Sequence, residues 1–424
     1  MKPVQGLAVL VVICLMTSCG VIGDMRNLGR NLEEIQQSIQ VIAGEVKDQF
    51  PERSQGNIIV VLLSQDTESQ RILSYKIMTD SSEYFVFPQE VINSRLVAFK
   101  DSNNNFIYDK FEPIAESSGE IKFSPHTLIE DELEKNVLVL DYAPDATREY
   151  HLDLSSRSVV DNVSYMKNMG KVTDFSDANF SDEVEKMGLW EPLRFAREVG
   201  YGFYLLEPWD PDRDVVLFVH GINSSPKAWQ NIIPKLNFEN YQPVLFQYPS
   251  GFNLEASASV LSNIMAELYL RDTSKRIRVV AHSMGGLITQ RFIQMHLEKD
   301  IIEKKLDRVM TISTPWAGHK GAQLGVDYSP VVAPVWYDMA PDSPFLASLF
   351  TIALPDYIEH TVLFSYAGQS GSAAANDGTV TLESQLDARV QNQASRLIGL
   401  NENHVSILSS ERTAEYINTF ILID

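Results

Sequence analysis

The sequence predicts an α/β protein with a mostly parallel sheet, preceded by a smaller antiparallel β domain. From Val215 onward, β-branched runs alternate with helical stretches. Such alternation gives a parallel sheet with helices on both faces. Between about Gly56 and Leu154, six short strand candidates are separated by turn residues. Short strands at that spacing predict a small β-sandwich.

Each strand of the α/β part is predicted by a short run rich in β-branched residues. In chain order the runs are VVLFV, PVLFQY, IRVVAH, LDRVMTIST, HTVLFSYAG and SRLIGL. The helices predicted after the first three are PKAWQNIIPKL, LEASASVLSNIMAELYL and LITQRFIQMHL. Open parallel sheets carry their sites at the carboxyl ends of the strands. The residues that follow these runs are therefore the first candidates for function.

The turn after IRVV has the sequence form of a nucleophile elbow. The residues AHSMGG, Ala281 to Gly286, join a strand to a helix with apolar periodicity. The elbow strains the backbone of its serine and needs small residues two positions away on each side. Ala281 and Gly285 fill those places, with alanine where glycine is usual. We expect Ser283 to be a nucleophile; the alternative is a small-residue turn that serves packing alone.

A serine nucleophile needs an acid and a base, which follow it in this order along the chain. Asp377 lies in ANDGTV, beyond the strand HTVLFSYAG, and His404 is the one histidine after it. We predict that Asp377 orients His404 and that His404 activates Ser283. Glu383 and Asp387 remain alternative acids, although both fall inside or after the start of a predicted helix.

The loop after VVLFV supplies a candidate oxyanion hole. This first strand runs into His220-Gly221-Ile222. One donor of an oxyanion hole belongs in such a loop, and the second is the N–H of the residue after the nucleophile. We therefore predict the N–H groups of Ile222 and Met284 as the donors. His220 and His282 are either catalytic or brace the loops, and bracing is the favoured interpretation.

With these segments, the chain resembles the α/β-hydrolase superfamily, and within it the bacterial lipase and esterase branch. The segments VHGI, AHSMGG, NDGTV and NHVSIL carry the resemblance, which covers about Gly200 to Asp424. It implies a Ser-Asp-His hydrolase of carboxylic esters, acting on an acyl ester or lipid, with no metal or organic cofactor required for catalysis. An acyltransferase or amidase with the same triad is one alternative. A non-catalytic surface lipoprotein that binds a protein partner is another.

The N-terminus predicts export and lipid attachment. After Lys2, the apolar stretch GLAVLVVICLM is too short to span a bilayer and ends in Met-Thr-Ser-Cys. It resembles the bacterial lipoprotein box, with Met16 where leucine is usual. We therefore predict a signal peptide over 1–18 and a lipid-modified Cys19 carrying acyl chains such as palmitate; an uncleaved anchor helix is the alternative. Gly20, by resemblance to the sorting rule, favours the outer membrane of a bacterial cell envelope, facing the periplasm or the surface.

Changes in composition and periodicity divide the rest of the chain into segments. The predicted segments are a polar tether or helix at 19–55, a β-sandwich resembling transthyretin-like modules at 56–155, a linker at 156–199 and the α/β-hydrolase domain at 200–424. An insertion rich in aromatic residues, from Trp316 to Phe350, precedes Asp377. It lines an acyl pocket or acts as a lid, or it packs as ordinary core. Both interpretations stay open.

One stretch of the sandwich has the spacing of an EF-hand-like calcium loop. Oxygen-bearing side chains stand at positions 1, 3, 5, 9 and 12 of such a loop. They are Asp101, Asn103, Asn105, Asp109 and Glu112. Phe106, however, stands at position 6, where the loop needs glycine. The alternatives are a structural Ca²⁺ in the N-terminal domain and a plain turn between strands, which is the favoured interpretation.

Composition excludes several classes of function. A net charge of −21 argues against nucleic acid as a partner, because phosphate binding needs a basic face. The two cysteines are Cys14 and Cys19. After cleavage only the lipid-bearing one remains, which excludes a disulfide within the chain and a cysteine metal site. The sequence also has no P-loop and no dinucleotide-binding fingerprint.

Overall fold

The structure divides into two compact units. The computed structural model describes residues 19–53, 55–64, 71–78, 84–90, 94–117, 121–122, 124–125, 135–142, 150–155, 165–271, 275–298, 305–368 and 375–423. The smaller unit is Arg30–Met169, and the larger unit combines the described residues up to Gly29 with those from Gly170 onward. The predicted signal peptide at 1–18 lies outside the described residues.

The N-terminal helix is shorter than the predicted tether. Helix α1 spans Cys19–Ser38, and strand β1 follows at once, over Ile39–Lys47. The composition of this stretch predicts a polar tether that extends to residue 55. The difference arises because IQVIAGEVK is rich in β-branched residues, and Ile42 and Val46 bury their side chains in the smaller unit.

Two four-stranded sheets form the described part of the smaller unit. The strands after β1 are β2 Asn57–Ser64, β3 Ile72–Met78, β4 Tyr84–Glu90, β5 Ser94–Asp101, β6 Ile114–Glu116, β7 Ser124–Pro125 and β8 Lys135–Val139. One sheet has the order β3-β2-β5-β6, and in the other β1 pairs with β4, β7 and β8. The β1–β8 pair is parallel, which the sequence did not predict. Buried side chains of both sheets, including Leu62 and Phe85, form one cluster, which is the packing of a sandwich.

The larger unit contains an eight-stranded, mostly parallel sheet. Its strands are β9 Lys171–Val172, β10 Gly202–Leu205, β11 Asp214–Val219, β12 Tyr241–Gln247, β13 Ile277–His282, β14 Leu306–Ile312, β15 Glu359–Ser365 and β16 Arg396–Leu400. Their order is β16-β15-β14-β13-β11-β12-β10-β9. The β10–β12 pair is antiparallel and every other pair is parallel. The predicted α/β-hydrolase fold is confirmed.

Helices cover this sheet. In the larger unit they are α2 Asp182–Trp190, α3 Pro192–Glu198, α4 Leu254–Arg271, α5 Met284–Glu298, α6 Lys320–Tyr328, α7 Pro334–Met339, α8 Pro344–Ser348, α9 Leu382–Gln385, α10 Ala388–Gln393 and α11 Glu411–Phe420. Val216 and Phe218 of β11 share a core cluster with Ile417 of α11. The alternate residues Val215 and Leu217 are buried on the other face. Across the described ranges, every helix is too short or too polar to cross a bilayer.

Two segments differ from the sequence reading because of local chemistry. PKAWQNIIPKL, predicted as a helix, forms two 3₁₀ turns, Pro226–Trp229 and Ile233–Lys235. Pro234 has no N–H to continue a helical ladder, so the segment breaks into short turns. The predicted linker at 156–199 contains helices α2 and α3, which bury apolar residues such as Leu189 and Phe195 in the larger unit.

Candidate active site

Ser283 stands alone in a sharp turn between β13 and α5. Its φ is 53°, in the left-handed region that a residue with a Cβ adopts only under strain. The Ser283 N–H donates to the Ile312 carbonyl at 2.8 Å, and its own carbonyl accepts from the Gly286 N–H at 3.0 Å. These two bonds hold the turn, so Ser283 has the backbone expected of a nucleophile elbow.

Small residues are required around the turn because neighbouring backbone and a threonine side chain pass close by. A Cβ on Gly285 would lie 2.4 Å from the His220 carbonyl oxygen. On Gly286 it would lie 2.1 Å from the Thr314 hydroxyl oxygen. Ala281 is fully buried. The small-residue pattern read from the sequence therefore reflects close packing of the elbow against neighbouring strands and loops.

The structure brings Ser283, His404 and Asp377 together in one hydrogen-bonded line. Nε2 of His404 lies 3.0 Å from Oγ of Ser283, and its Nδ1 lies 2.7 Å from Oδ2 of Asp377. Ser283 follows β13, Asp377 lies in the loop after β15, and His404 lies in the loop after β16. All three side chains are largely buried. This is the geometry in which an imidazole can take a proton from a serine while a carboxylate fixes its tautomer.

The Asp377 carboxylate is buried and surrounded by donors. Besides His404, these donors are the N–H groups of Thr379 at 2.9 Å and Val380 at 2.7 Å, the Ser365 hydroxyl at 2.7 Å and the Gln385 amide at 3.2 Å. Burial alone would raise the pKa of Asp377, but the hydrogen bond and charge of His404, with the other donors, bring that pKa below its ordinary value. The carboxylate is therefore kept ionised beside the imidazole. The contacts of Ser365 and Gln385 with Asp377 were not predicted from the sequence.

The two alternative acids are occupied elsewhere. Asp387 caps α10, accepting from the Arg389 N–H at 2.8 Å and pairing with the Arg389 guanidinium at 2.9 Å. Glu383 is exposed in the first turn of α9. Among the three candidate acids, Asp377 is the one in contact with His404.

The two predicted oxyanion donors both adjoin the nucleophile. Met284 follows Ser283 directly and begins α5. Ile222 follows Gly221, where an added Cβ would lie only 3.0 Å from Cβ of Ser283. Within the described part of the chain, neither the Ile222 N–H nor the Met284 N–H donates to another group. Two N–H groups that lie next to a nucleophile and have no other acceptor can donate to a developing oxyanion.

The two histidines of the site motifs hydrogen-bond to loop backbone. His282 donates from Nε2 to the His404 carbonyl at 2.9 Å, and His220 donates from Nδ1 to the Gly221 carbonyl at 2.9 Å. Burial lowers the pKa of His282 to about 3 and that of His220 to about 4, so both rings are neutral at physiological pH. Both histidines therefore support the loop backbone, which is the interpretation favoured from the sequence.

A cavity of about 540 Å³ opens onto Ser283 and His404. Its size lies within the range of small-molecule sites. Its lining contains both apolar and polar side chains. The apolar lining includes Ala322, Trp336 and Met339, and the polar lining includes Asn223, Gln230, Asn231 and Ser409. Among the described residues that line it, Lys227 is the one permanently charged side chain, and no carboxylate is present.

The insertion between β14 and β15 serves both as cavity wall and as core. Helices α6 and α7 supply Ala322, Trp336 and Met339 to the cavity. Trp316 and Val335, by contrast, are fully buried. The two interpretations of the insertion, as pocket lining and as core, therefore apply to different residues of the same segment.

Comparison with known families points to the same chemistry. A family model described as "Putative serine esterase (DUF676)" matches residues 211–332. The matched range contains β11, the Ile222 loop and Ser283, and it ends before Asp377 and His404. Together with the α/β fold of the larger unit, this match supports hydrolase activity.

Individual relatives are distant. The Arabidopsis thaliana protein "Lecithin-cholesterol acyltransferase-like 4" is 24% identical over 127 residues, 28% of this chain and 22% of that protein. The chain thus matches less than a quarter of this curated relative. Among solved structures, the mature Bacillus licheniformis lipase BlEst2 is 21% identical, covering 51% of this chain and 96% of its own, at a TM-score of 0.41. A lipase-esterase related protein from Clostridium acetobutylicum is 14% identical, covering 52% and 99%, at a TM-score of 0.35.

The residues of the predicted calcium loop lie together in the smaller unit, bonded to one another and to backbone. Asp101 accepts the N–H groups of Asn105 at 3.1 Å and Phe106 at 2.9 Å. Glu112 accepts those of Ser102 at 2.6 Å and Asp109 at 3.1 Å. The amide groups of Asn103 and Asn105 both donate to Asp109, at 2.8 and 3.0 Å. Among the described residues, no group of three or more His, Cys, Asp and Glu side chains is arranged to hold a metal.

Phe106 adopts the left-handed backbone conformation for which a calcium loop of this type needs glycine. Its φ is 61°, and its side chain is buried. The missing glycine therefore does not prevent the loop from turning at position 6. Calcium binding here stays a prediction. The predicted lipidation of Cys19 also stays a prediction, because that side chain lies outside the described part of the structure.

Proposed function

We propose that the protein is a serine hydrolase that cleaves carboxylic esters through an acyl-enzyme. The observation that carries the proposal is the continuous line from Ser283 through His404 to Asp377, with contacts of 3.0 and 2.7 Å. A strained serine, an imidazole within reach of it and an ionised carboxylate behind that imidazole are the components of acyl transfer.

In the first half-reaction, Oγ of Ser283 attacks the carbonyl carbon of the ester while Nε2 of His404 accepts the hydroxyl proton. The electron pair of the carbonyl moves to its oxygen, which receives hydrogen bonds from the N–H groups of Ile222 and Met284. When the tetrahedral intermediate collapses, the bond to the alcohol oxygen breaks. His404 gives its proton to that oxygen, and the alcohol leaves.

In the second half-reaction, water attacks the acyl-enzyme, and His404 accepts a proton from it. Collapse of this intermediate releases the carboxylic acid and returns the proton to Oγ of Ser283. Asp377 stays ionised throughout and stabilises the imidazolium that forms in each half. The reaction consumes one ester and one water and needs no metal or redox partner.

The cavity walls favour an acyl ester whose alcohol part is polar and not cationic. The apolar lining residues, such as Trp336 and Met339, suit an acyl chain, because burying that chain removes apolar surface from water. The polar lining residues suit a hydroxylated alcohol group. A cationic head group would find no carboxylate in the described lining. With the lipid predicted at Cys19, we propose a lipid or other acyl ester of the cell envelope as substrate.

Acyl transfer to an alcohol is a second candidate. The Arabidopsis thaliana relative is named as an acyltransferase-like protein. The same acyl-enzyme would serve, with an acceptor alcohol in place of water. Asn231 and Ser409 of the cavity lining are polar groups that would hydrogen-bond to such an alcohol. Product analysis with and without an added alcohol separates the two, since transfer gives a new ester and hydrolysis gives free acid.

The proposal is tested by active-site labelling and an ester chain-length series. An organophosphonate is expected to label the wild type once, at Ser283, and to leave Ser283→Ala unlabelled. Ser348→Ala, on α8 away from the triad, is the matched control and should be labelled like the wild type. Turnover of esters of increasing acyl length then shows how long an acyl chain the cavity accommodates. Labelling of Ser283→Ala at the wild-type rate would contradict the proposal.

A further inference from the structure

The loop that carries Ile222 is held by hydrogen bonds on both sides of that residue. The Tyr248 hydroxyl donates to the His220 carbonyl at 2.5 Å. After Ile222, the Asn223 N–H donates to the buried Ser250 hydroxyl at 3.0 Å. In the described structure, the Ile222 N–H donates to no group, although the Gly221 carbonyl before it and the Asn223 N–H after it are both hydrogen-bonded.

The peptide group between Gly221 and Ile222 explains where this N–H points. Its carbonyl oxygen belongs to Gly221 and accepts from Nδ1 of His220 at 2.9 Å. Its N–H belongs to Ile222. The peptide is trans and planar, so its C=O and N–H point in opposite directions. A bond that fixes the carbonyl toward His220 therefore fixes the N–H away from His220.

The surroundings of this peptide indicate that the direction away from His220 faces the nucleophile. The His220 ring is fully buried, whereas Gly221 and Ile222 both line the cavity. Gly221 is so close to Ser283 that an added Cβ would lie 3.4 Å from its Oγ. The peptide thus presents its N–H on the face where an ester carbonyl bound to Ser283 would develop negative charge.

His220 is well suited to hold the peptide in this orientation. A carbonyl can only accept, so the ring proton is on Nδ1. Burial keeps the ring neutral, since it lowers the pKa of His220 to about 4. The ring also stacks on Tyr248, with centroids 4.2 Å apart and planes 13° from parallel. The same tyrosine therefore fixes both the backbone and the ring of His220.

We propose that His220 is a positioning residue for the oxyanion hole, acting through the hydrogen bond from its Nδ1 to the Gly221 carbonyl. The ring does not touch the reacting atoms. It orients the Ile222 N–H before substrate arrives, so that the loop does not have to reorganise during the reaction. The inference rests on the proposed serine hydrolase function and adds a specific role within it.

Two substitutions at His220 separate the hydrogen bond from the packing. His220→Phe keeps a ring to stack on Tyr248 but has no donor. His220→Asn loses the ring but places an amide nitrogen at the δ position, where Nδ1 stood. We expect His220→Phe to lower kcat about 10²-fold with KM little changed, because removal of one oxyanion donor costs roughly 10²- to 10³-fold. His220→Asn is expected to recover most of that loss.

A second readout distinguishes an oxyanion effect from general damage. A boronic acid forms a tetrahedral adduct on a nucleophilic serine, whereas an unreactive ether analogue of the ester does not. In His220→Phe, the affinity of the boronic acid should fall by about the same factor as kcat, and that of the ether should stay unchanged. Thermal unfolding is recorded for each variant; if His220→Phe does not fold, His220→Met, which also lacks a donor, replaces it.

The outcomes separate this inference from the proposed function. If Ser283→Ala is inactive but the donor-free variant keeps wild-type kcat and boronic acid affinity, the role of His220 is wrong and the hydrolase proposal stands. If His220→Phe keeps a higher kcat than His220→Asn, ring stacking and not the hydrogen bond is what matters at this position. That result would also overturn the proposed role. If Ser283→Ala keeps wild-type turnover, the proposed function itself fails.

Discussion

His404 is bonded to Asp377 through both its backbone and its side chain. The His404 N–H donates to the Asp377 carbonyl at 2.9 Å, and Nδ1 of the ring lies 2.7 Å from the carboxylate. His282 completes the arrangement by donating to the His404 carbonyl at 2.9 Å. The loop position and the ring orientation of the proposed base therefore depend on the same acidic residue. Loss of its charge is expected to affect orientation more than folding.

Asp377→Asn is expected to lower turnover about 10⁴-fold, because an amide can present a donor to Nδ1 and favour the wrong tautomer. The measurement is kcat for a soluble ester, with thermal unfolding as a check on the fold. Asp387→Asn is the matched control, since Asp387 pairs with Arg389 and does not touch His404, and it should keep wild-type turnover. The reverse pattern would show that the acid was assigned wrongly.

A second prediction concerns pH and Asp338 of α7. Its carboxylate accepts the Leu254 N–H at the start of α4 at 2.5 Å, and burial raises the pKa of Asp338 to about 6. A carboxyl whose pKa is higher in the folded state contributes stability at low pH. That contribution is lost as pH rises through about 6. Asp338→Asn should therefore gain stability relative to the wild type between pH 5 and pH 8.

The measurement for Asp338 is the urea midpoint of both proteins at the two pH values. Asparagine keeps an acceptor for the Leu254 N–H, so the comparison isolates the charge. If the wild type instead gained stability relative to Asp338→Asn as pH rose, the helix N-terminus would have to lower the pKa of this carboxyl more than burial raises it.

Calcium is expected to raise the unfolding temperature of the smaller unit after chelator treatment. Binding to the folded state alone contributes about 2.7 kcal/mol at a hundredfold excess over the dissociation constant. The loop carboxylates would exchange bonds to their own backbone for bonds to the ion. Asp101→Asn with Glu112→Gln should abolish the response. No shift in the wild type would leave the stretch a turn held by its own hydrogen bonds.

Membrane attachment through Cys19 is the fourth prediction. The protein expressed in a bacterial host with lipoprotein processing should be found in the membrane fraction, and mass spectrometry should detect an acylated peptide that begins at Cys19. Cys19→Ser should move the protein out of that fraction. A wild-type protein that begins elsewhere and carries no lipid would contradict the prediction.

The elements with strong local signals could be predicted from the sequence. The runs VVLFV and IRVVAH are buried strands, and AHSMGG needs small residues because backbone approaches Gly285 within 2.4 Å of an added Cβ. The chain order of acid and base points to Asp377 and His404, and the structure places His404 in contact with both Asp377 and Ser283. Motif and spacing predict these residues because the elbow and the strand ends leave few positions where a nucleophile, an acid and a base can meet.

The features that were missed depend on contacts distant in the sequence. Ser365 and Gln385 bond to Asp377, but a serine at a strand end and a glutamine in a short helix have no local signature of that role. Strand β10 pairs antiparallel with β12, and its four residues are too few for a clear pattern. In β1, the polar sequence before Ile39 predicted a continued helix, and sheet pairing with β4 and β8 overrides that tendency.

The most direct test of the account is the turnover of a short-chain ester by Ser283→Ala, His404→Ala and the double variant. Groups that act as one unit lose nearly all their effect when any one is removed. Each single change is therefore expected to lower kcat on the order of 10⁶-fold, and the double change by no more than either single change. Wild-type turnover in Ser283→Ala, or losses that multiply in the double variant, would contradict a catalytic unit built from Ser283, His404 and Asp377.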